Sequence, residues 1–227
     1  MTSFDSAVPV EPIKVDIWSD IACPWCFIGK RKFEAGAEAA GVPVEVEYHS
    51  FELSPGTPAE FPGKHEEFLA EKMGVSLEQA RAMGDRVTGI AASVGLDYDY
   101  DALQTTNTVL GHQLIHYAKA RGRQLEMKER LLKAYFEEGR HVGRIADLAD
   151  LAVELGFDRA DVVRSLEAGE YLSAVHADVA LAGELGIRGV PFFVIDGKYG
   201  VSGAQDPATF AQALTQVAAE RGAGVAS

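Results

Sequence analysis

The chain has 227 residues, of which 47% are hydrophobic and 24% charged, enough for one good core or for one domain carrying an insertion. Its 34 acidic against 21 basic residues give a formal net charge of −13, which disfavours nucleic acid and an anionic membrane surface as partners. No window reaches the apolar length of a bilayer span. The start, Met1 to Lys14, lacks the basic n-region and apolar h-region of a signal peptide, so a cytoplasmic location is expected.

Residues 1–12, with Pro9 and Pro12, read as a loose leader. Ile13 to Trp18 reads as a strand. Ser19-Asp20-Ile21-Ala22-Cys23-Pro24-Trp25-Cys26 follows, and Pro24 suits a helix start because first-turn N–H groups lack partners anyway. The helix is expected from Pro24 to about Ala40, with Gly41 as its stop. Val44, Val46 and Tyr48 then alternate with Glu45, Glu47 and His49 in a period-two strand running into Phe51. The order so far is β-α-β, with a helix as crossover.

Pro55, Gly56, Pro58, Pro62 and Gly63 mark a break, after which a long helical region begins. Ser76-Leu77-Glu78-Gln79 has the pattern of a capping box, and Leu77, Ala80, Met83, Val87, Ile90 and Val94 recur at helical spacing up to Gly95. Further helices are expected to start at Asn107, acting as N-cap, and to end at Gly122, Gly139, Gly156 and Gly186. No fixed repeat period links them. Residues 61–176 are therefore expected to form an independent helical layer beside a sheet, lining one wall of the groove above Cys23. Strand signals return at Val190 to Ile195, Asp196-Gly197 is a hairpin turn, and Lys198 to Ser202 returns. Asp206-Pro207 caps and opens a final helix.

The only two cysteines stand two residues apart at that first helix start, the arrangement of a dithiol–disulfide site in a reducing compartment. The helix N-terminus favours a thiolate at Cys23, which is expected to be accessible with a depressed pKa. Cys26, one turn further in, is expected to be covered and able to attack a mixed disulfide on Cys23. Trp25 carries no positive charge, so the pair should be more reducing than the strongest oxidants of this type. A competing class is a structural zinc module in which His112 and His116, at i and i+4, join the two cysteines. No metal or bound cofactor is expected in the preferred reading.

Three patches carry a family resemblance: Trp18-Ser19-Asp20 with Cys23-Pro24-Trp25-Cys26; Ala134-Tyr135-Phe136-Glu137-Glu138-Gly139; and Gly186-Ile187-Arg188-Gly189-Val190-Pro191-Phe192-Phe193 with Gly203-Ala204-Gln205. In this order they resemble the DsbA-like oxidoreductases, most closely the FrnE-type subgroup. The resemblance implies an α/β thioredoxin-like fold (β-α-β … β-β-α) with a large all-helical insertion: residues 13–55 and 180–220 as the thioredoxin-like domain, 56–179 as the inserted subdomain. It implies a thiol–disulfide oxidoreductase or isomerase with Cys23 attacking, Cys26 resolving, and a cis Val190–Pro191 bond facing them.

On the same resemblance Pro191 belongs to the catalytic set, and Pro24, Trp25, Val190 and Asn107 lie on the substrate side, with Val190 holding an extended backbone as an added strand. Asp16 and Asp20 are the candidates to accept the Cys26 proton; the alternative role of Asp20 is in the turn. Partners would be protein or small-molecule disulfides and thiols, with glutathione a candidate. The related kappa-class glutathione transferases and 2-hydroxychromene-2-carboxylate isomerases carry Ser at the first-cysteine position, and they supply the alternative: a glutathione-dependent transferase or isomerase acting on a small organic substrate.

Overall fold

β1 (Ile13–Ser19) sits inside a four-stranded sheet of order β2 (Val44–Ser50), β1, β3 (Phe192–Ile195), β4 (Tyr199–Ser202), in a computed structural model that describes residues 11–225. The first ten residues of the leader lie outside that range. α1 (Pro24–Ala40) is the crossover to β2 (Val44–Ser50), which runs parallel to β1 in the register Ile13↔Val44 to Ser19↔Ser50. β3 (Phe192–Ile195) pairs antiparallel with β1, Val15 opposite Ile195, and β4 (Tyr199–Ser202) closes a hairpin on it. The Asp196-Gly197 turn has positive φ at both residues, 56° and 65°, as a tight two-residue hairpin requires.

Between β2 and β3 lie seven helices: α2 (His65–Met73), α3 (Leu77–Ala92), α4 (Val109–Lys119), α5 (Gln124–Phe136), α6 (Ile145–Glu154), α7 (Arg159–Glu167) and α8 (Leu172–Glu184). α9 (Pro207–Val225) follows the hairpin. The fold is thus thioredoxin-like with a helical insertion, and no strand interrupts the described residues from 61 to 176. The helical region after the Pro/Gly break opens with α2 and α3. Gly74, at φ 65°, ends α2, and Ser76 caps α3 with the reciprocal Gln79 contact.

Two clusters follow from the alternation of β1. Val15 and Ile17 face Phe33 of α1 and Phe210, Leu214 and Val217 of α9. Trp18 faces the other way, against Ala182 and Ile187, and stacks on His49 at 4.5 Å. The largest cluster is built by the inserted helices together with Ile21, Phe27 and Ile28, so the insertion shares its core with α1 and is not an independent layer.

Polar contacts tie the insertion to β2. Gln124 accepts from the Tyr48 N–H at 3.0 Å and donates to the Tyr48 carbonyl at 2.7 Å, covering that sheet edge. Asp178 of α8 takes the Ser50 N–H at 2.8 Å and lies 2.9 Å from both His49 Nδ1 and His116 Nε2.

Candidate active site

The loop from β1 delivers Cys23 as the N-cap residue of α1, in an extended conformation (φ −94°, ψ 112°) with no side-chain cap, and Pro24 opens the helix. The Cys26 N–H donates to the Cys23 carbonyl at 3.0 Å, closing the first turn and placing the second sulfur inward. The Val190–Pro191 bond is cis, and Cys23 Sγ lies 3.5 Å from the Val190 carbonyl oxygen. The cis bond that the resemblance implies is therefore present, with the Val190 carbonyl beside Cys23.

A cavity of about 420 Å³ opens beside the pair. Cys23, Pro24, Trp25, Gly189 and Val190 form one side; Phe68, Leu69 and Met73 of α2 with Met83 and Val87 of α3 form the facing wall. Lys72 and His65 supply polar groups to it, and the Tyr98 hydroxyl, outside the lining, donates to the Pro24 carbonyl at 2.7 Å. Trp25 is 39% exposed. Pro191 is buried and does not itself line the cavity; its ring faces Gly29 of α1.

The accessible Cys23 expected from the sequence is not what the fold provides: Cys23 and Cys26 are each 2% exposed, because the α2–α3 arm and the Val190 loop close over the helix start. Nor is the Cys23 pKa depressed. The hydrogen bond with Cys26, burial and the neighbouring charges of Cys26 and Asp20 raise it well above the ordinary thiol value. At Cys26 burial also opposes ionisation, but the Cys23 hydrogen bond, the Lys128 ammonium and the Ser19 hydroxyl outweigh it, so its pKa lies below the ordinary value. The helix N-terminus alone does not decide which thiol ionises, because burial acts on both and the Lys128 ammonium favours the thiolate of Cys26.

Asp20 lines the cavity and is fully enclosed. It takes the Leu53 N–H at 2.8 Å and sits 3.2 Å from His112 Nε2. Burial works against its charge, yet His112, Leu53 and Thr108 hold it below the ordinary carboxylate value. Asp16 is bound elsewhere, 2.8 Å from His49 Nε2 and 3.1 Å from Lys14 Nζ, and does not line the cavity.

Asn107 does not line it either; Thr105, Thr106 and Thr108 do. The α4 N-cap is Thr108, one residue later than expected, and Asn107 Oδ1 accepts the Val109 N–H at 2.9 Å. The zinc arrangement is not assembled: His112 is paired with Asp20 and His116 with Asp178 and Ser50. Among the described residues, the one set of three metal-capable side chains with converging atoms is Asp16, Glu47 and His49.

Sequence reasoning passed over Lys128 and Tyr98. Lys128 carried a signal, since Gln124, Met127, Lys128, Leu131, Leu132 and Tyr135 form one buried helical stripe in which a lysine is out of place.

A match to the DSBA-like thioredoxin domain spans residues 14–215. The chain is 28% identical over 215 residues to the uncharacterized protein YwbO of Bacillus subtilis, covering 89% of this chain and 96% of that one. Its fold is similar to that of the probable DsbA oxidoreductase SCO1869 from Streptomyces coelicolor, with TM-score 0.82, 41% identity, and 90% and 89% of the two chains covered. It is also similar in fold to the cytosolic disulfide reductase DsbM from Pseudomonas aeruginosa, with TM-score 0.63, 20% identity, and 90% and 98% covered, a protein also solved with GSH.

Proposed function

The chain belongs to the DSBA-like thioredoxin domain family, and from that membership we propose a thiol–disulfide oxidoreductase in which Cys23 attacks and Cys26 resolves. The observation that carries this reading is the dithiol in the first turn of α1, facing the Val190 carbonyl at the edge of an apolar cavity. Ionised Cys23 attacks a disulfide RS–SR′, forming Cys23–S–SR and releasing R′S⁻. Cys26 then attacks the Cys23 sulfur, releasing RS⁻ and closing the Cys23–Cys26 disulfide. The substrate gains two electrons and the protein loses them; two protons leave with the product thiols, and an external thiol restores the dithiol.

The sulfur that starts this sequence has a raised pKa, because the neighbouring Cys26, burial and the Asp20 charge all oppose its ionisation. Pro24, Trp25 and Val190 act as the substrate-side surface, with the α2–α3 arm opposite. A buried nucleophile beside a cavity of about 420 Å³ favours a low-molecular-weight disulfide with an apolar group over the rigid surface of a folded protein. We further propose the FrnE-type subgroup, a cytoplasmic location, and the division into 13–55 with 180–220 and an inserted 56–179. The boundary at 180 falls inside α8.

Glutathione as the restoring thiol is motivated by the similar fold of the reductase solved with GSH. The same cavity would also suit a glutathione-dependent transferase or isomerase. Turnover of an aromatic disulfide with glutathione or dithiothreitol, set beside insulin reduction, decides among these. Disulfide reduction lost in Cys23→Ser supports the proposal; conjugation that survives Cys23→Ser, with no disulfide reduction in the wild type, overturns it.

A further inference from the structure

The cavity beside the cysteines is apolar where α2 and α3 face it, but hydroxyls form another part of its lining. Tyr100, Thr105, Thr106, Thr108 and Tyr135 stand there with the Asp20 carboxylate. Several of these groups are already engaged. Thr105 Oγ1 lies 2.8 Å from His65 Nδ1, and Thr106 donates to the Ala59 carbonyl at 2.8 Å. Asp20 is held by Leu53, His112 and Ala22.

The two phenols are not engaged. Tyr135 of α5 is 1% exposed, and its hydroxyl has no hydrogen-bond partner among the described residues. Tyr100, half-buried with its ring against Gly84 of α3, likewise has a hydroxyl without a partner among them. Tyr98, whose ring lies 6.2 Å from that of Tyr100, shows the usual arrangement, donating to the Pro24 carbonyl at 2.7 Å. Burial raises the pKa of both phenols, so each keeps its proton at neutral pH and offers a donor. An O–H withdrawn from water without an acceptor is costly, and on a cavity wall a ligand can supply the acceptor.

We propose that Tyr100 and Tyr135 form a recognition subsite for a neutral carbonyl oxygen, a carboxamide above all, carried on the apolar body of the disulfide substrate. The subsite rests on the dithiol-exchange reading above and leaves its chemistry unchanged. A carbonyl oxygen has two lone pairs, one for each phenol. The charges of the lining favour a neutral group over a carboxylate. Asp20 stays ionised in the same cavity and repels an anion. His65 supplies no opposing charge, because burial lowers its pKa to about 4. Lys72 is the cation of the lining, and its Nζ is turned to the Leu53 carbonyl at 3.3 Å and to the Ser54 hydroxyl. The N–H groups of a carboxamide suit the Asp20 carboxylate, which an ester or ketone does not use.

The test compares aryl disulfides of one body: di-p-tolyl disulfide, and diphenyl disulfide bearing two carboxamides or two carboxylates at the meta or para positions. Each kcat/KM is divided by the rate constant of the same disulfide with dithiothreitol alone, which removes intrinsic reactivity. In the wild type the better carboxamide should exceed the tolyl compound and the carboxylates at least about tenfold, chiefly through KM. Tyr135→Phe should lower the carboxamide-to-tolyl ratio about tenfold, the effect of one lost hydrogen bond. Phenols that only pack, or that are served by water alone, leave the ratio where it is. An active wild type with that ratio unchanged in Tyr135→Phe, or with the carboxylates preferred, overturns this proposal alone. A wild type inert toward every disulfide overturns the function beneath it. Should Tyr135→Phe not fold, Tyr100→Phe carries the same readout, and an unchanged ratio there overturns the proposal.

Discussion

Gly29 and Pro191 stand so close that a Cβ on Gly29 would come 2.8 Å from Pro191 Cγ. Helix α1 can approach the Val190–Pro191 loop, and bring Val190 to Cys23, only because this turn presents a hydrogen there.

Gly29→Ala tests that approach with a sign that propensity alone gets wrong. Alanine inside a helix is favoured over glycine by about 1 kcal/mol. The clash should reverse this, for a net loss of about 1–2 kcal/mol in denaturant unfolding. Turnover should fall further than stability explains, because the loop that faces Cys23 is displaced.

The two cysteines should fail differently. Cys23→Ser should abolish disulfide reduction, whereas Cys26→Ser should accumulate mixed disulfides on Cys23 that intact mass spectrometry detects. Adduct formation on Cys26 in the single variant lacking Cys23 at comparable rates would reverse the assignment.

Reagent size should matter more than reagent chemistry. With Cys23 buried at the edge of a cavity of about 420 Å³, iodoacetamide should label it while a polymer-linked maleimide should not, until α2 and α3 are loosened. Equal rates for the two reagents in the native protein would show that the thiol is open.

The contact between α8 and β2 should depend on pH from both sides. Asp178 has a lowered pKa: burial opposes its charge, and His116, His49 and the Ser50 N–H outweigh it. Its contribution is therefore present above the unfolded value of about 3.9 and lost as pH falls through the folded one. His49 is raised, because Asp178 and Asp16 outweigh burial, so its contribution is full below about 6.5 and lost as pH rises through the folded value. Asp178→Ala should cost about 2–4 kcal/mol between those limits, and the difference from wild type in thermal unfolding should shrink outside them.

What the chain's order of residues made legible was whatever depends on local chemistry. Pro24 and Gly41 bound α1 as read, and Asp196-Gly197 turned the hairpin, because each needs only its own backbone preference. The tie between Val190 and Cys23 was legible through resemblance alone, since no local rule joins positions 167 residues apart. The state of the thiols was not legible. A helix N-terminus supplies a partial charge wherever it occurs, but the α2–α3 wall facing Cys23 and the Lys128 ammonium that favours a thiolate at Cys26 come from elements far along the chain. Asp16 illustrates the same limit: its place on β1 was right, and its partner turned out to be His49.

The separation of 167 positions between Cys23 and Val190 also has a meaning in time. At 5–20 residues per second, a ribosome needs roughly 8–33 s to pass from one to the other. Through that interval the dithiol exists without the loop that covers it, and without β3 to complete the sheet. Chains stalled before residue 190 should therefore react with the polymer-linked maleimide that the finished fold excludes. The reactivity of this pair is thus set first by how far translation has advanced, and only afterwards by the chemistry around the sulfurs.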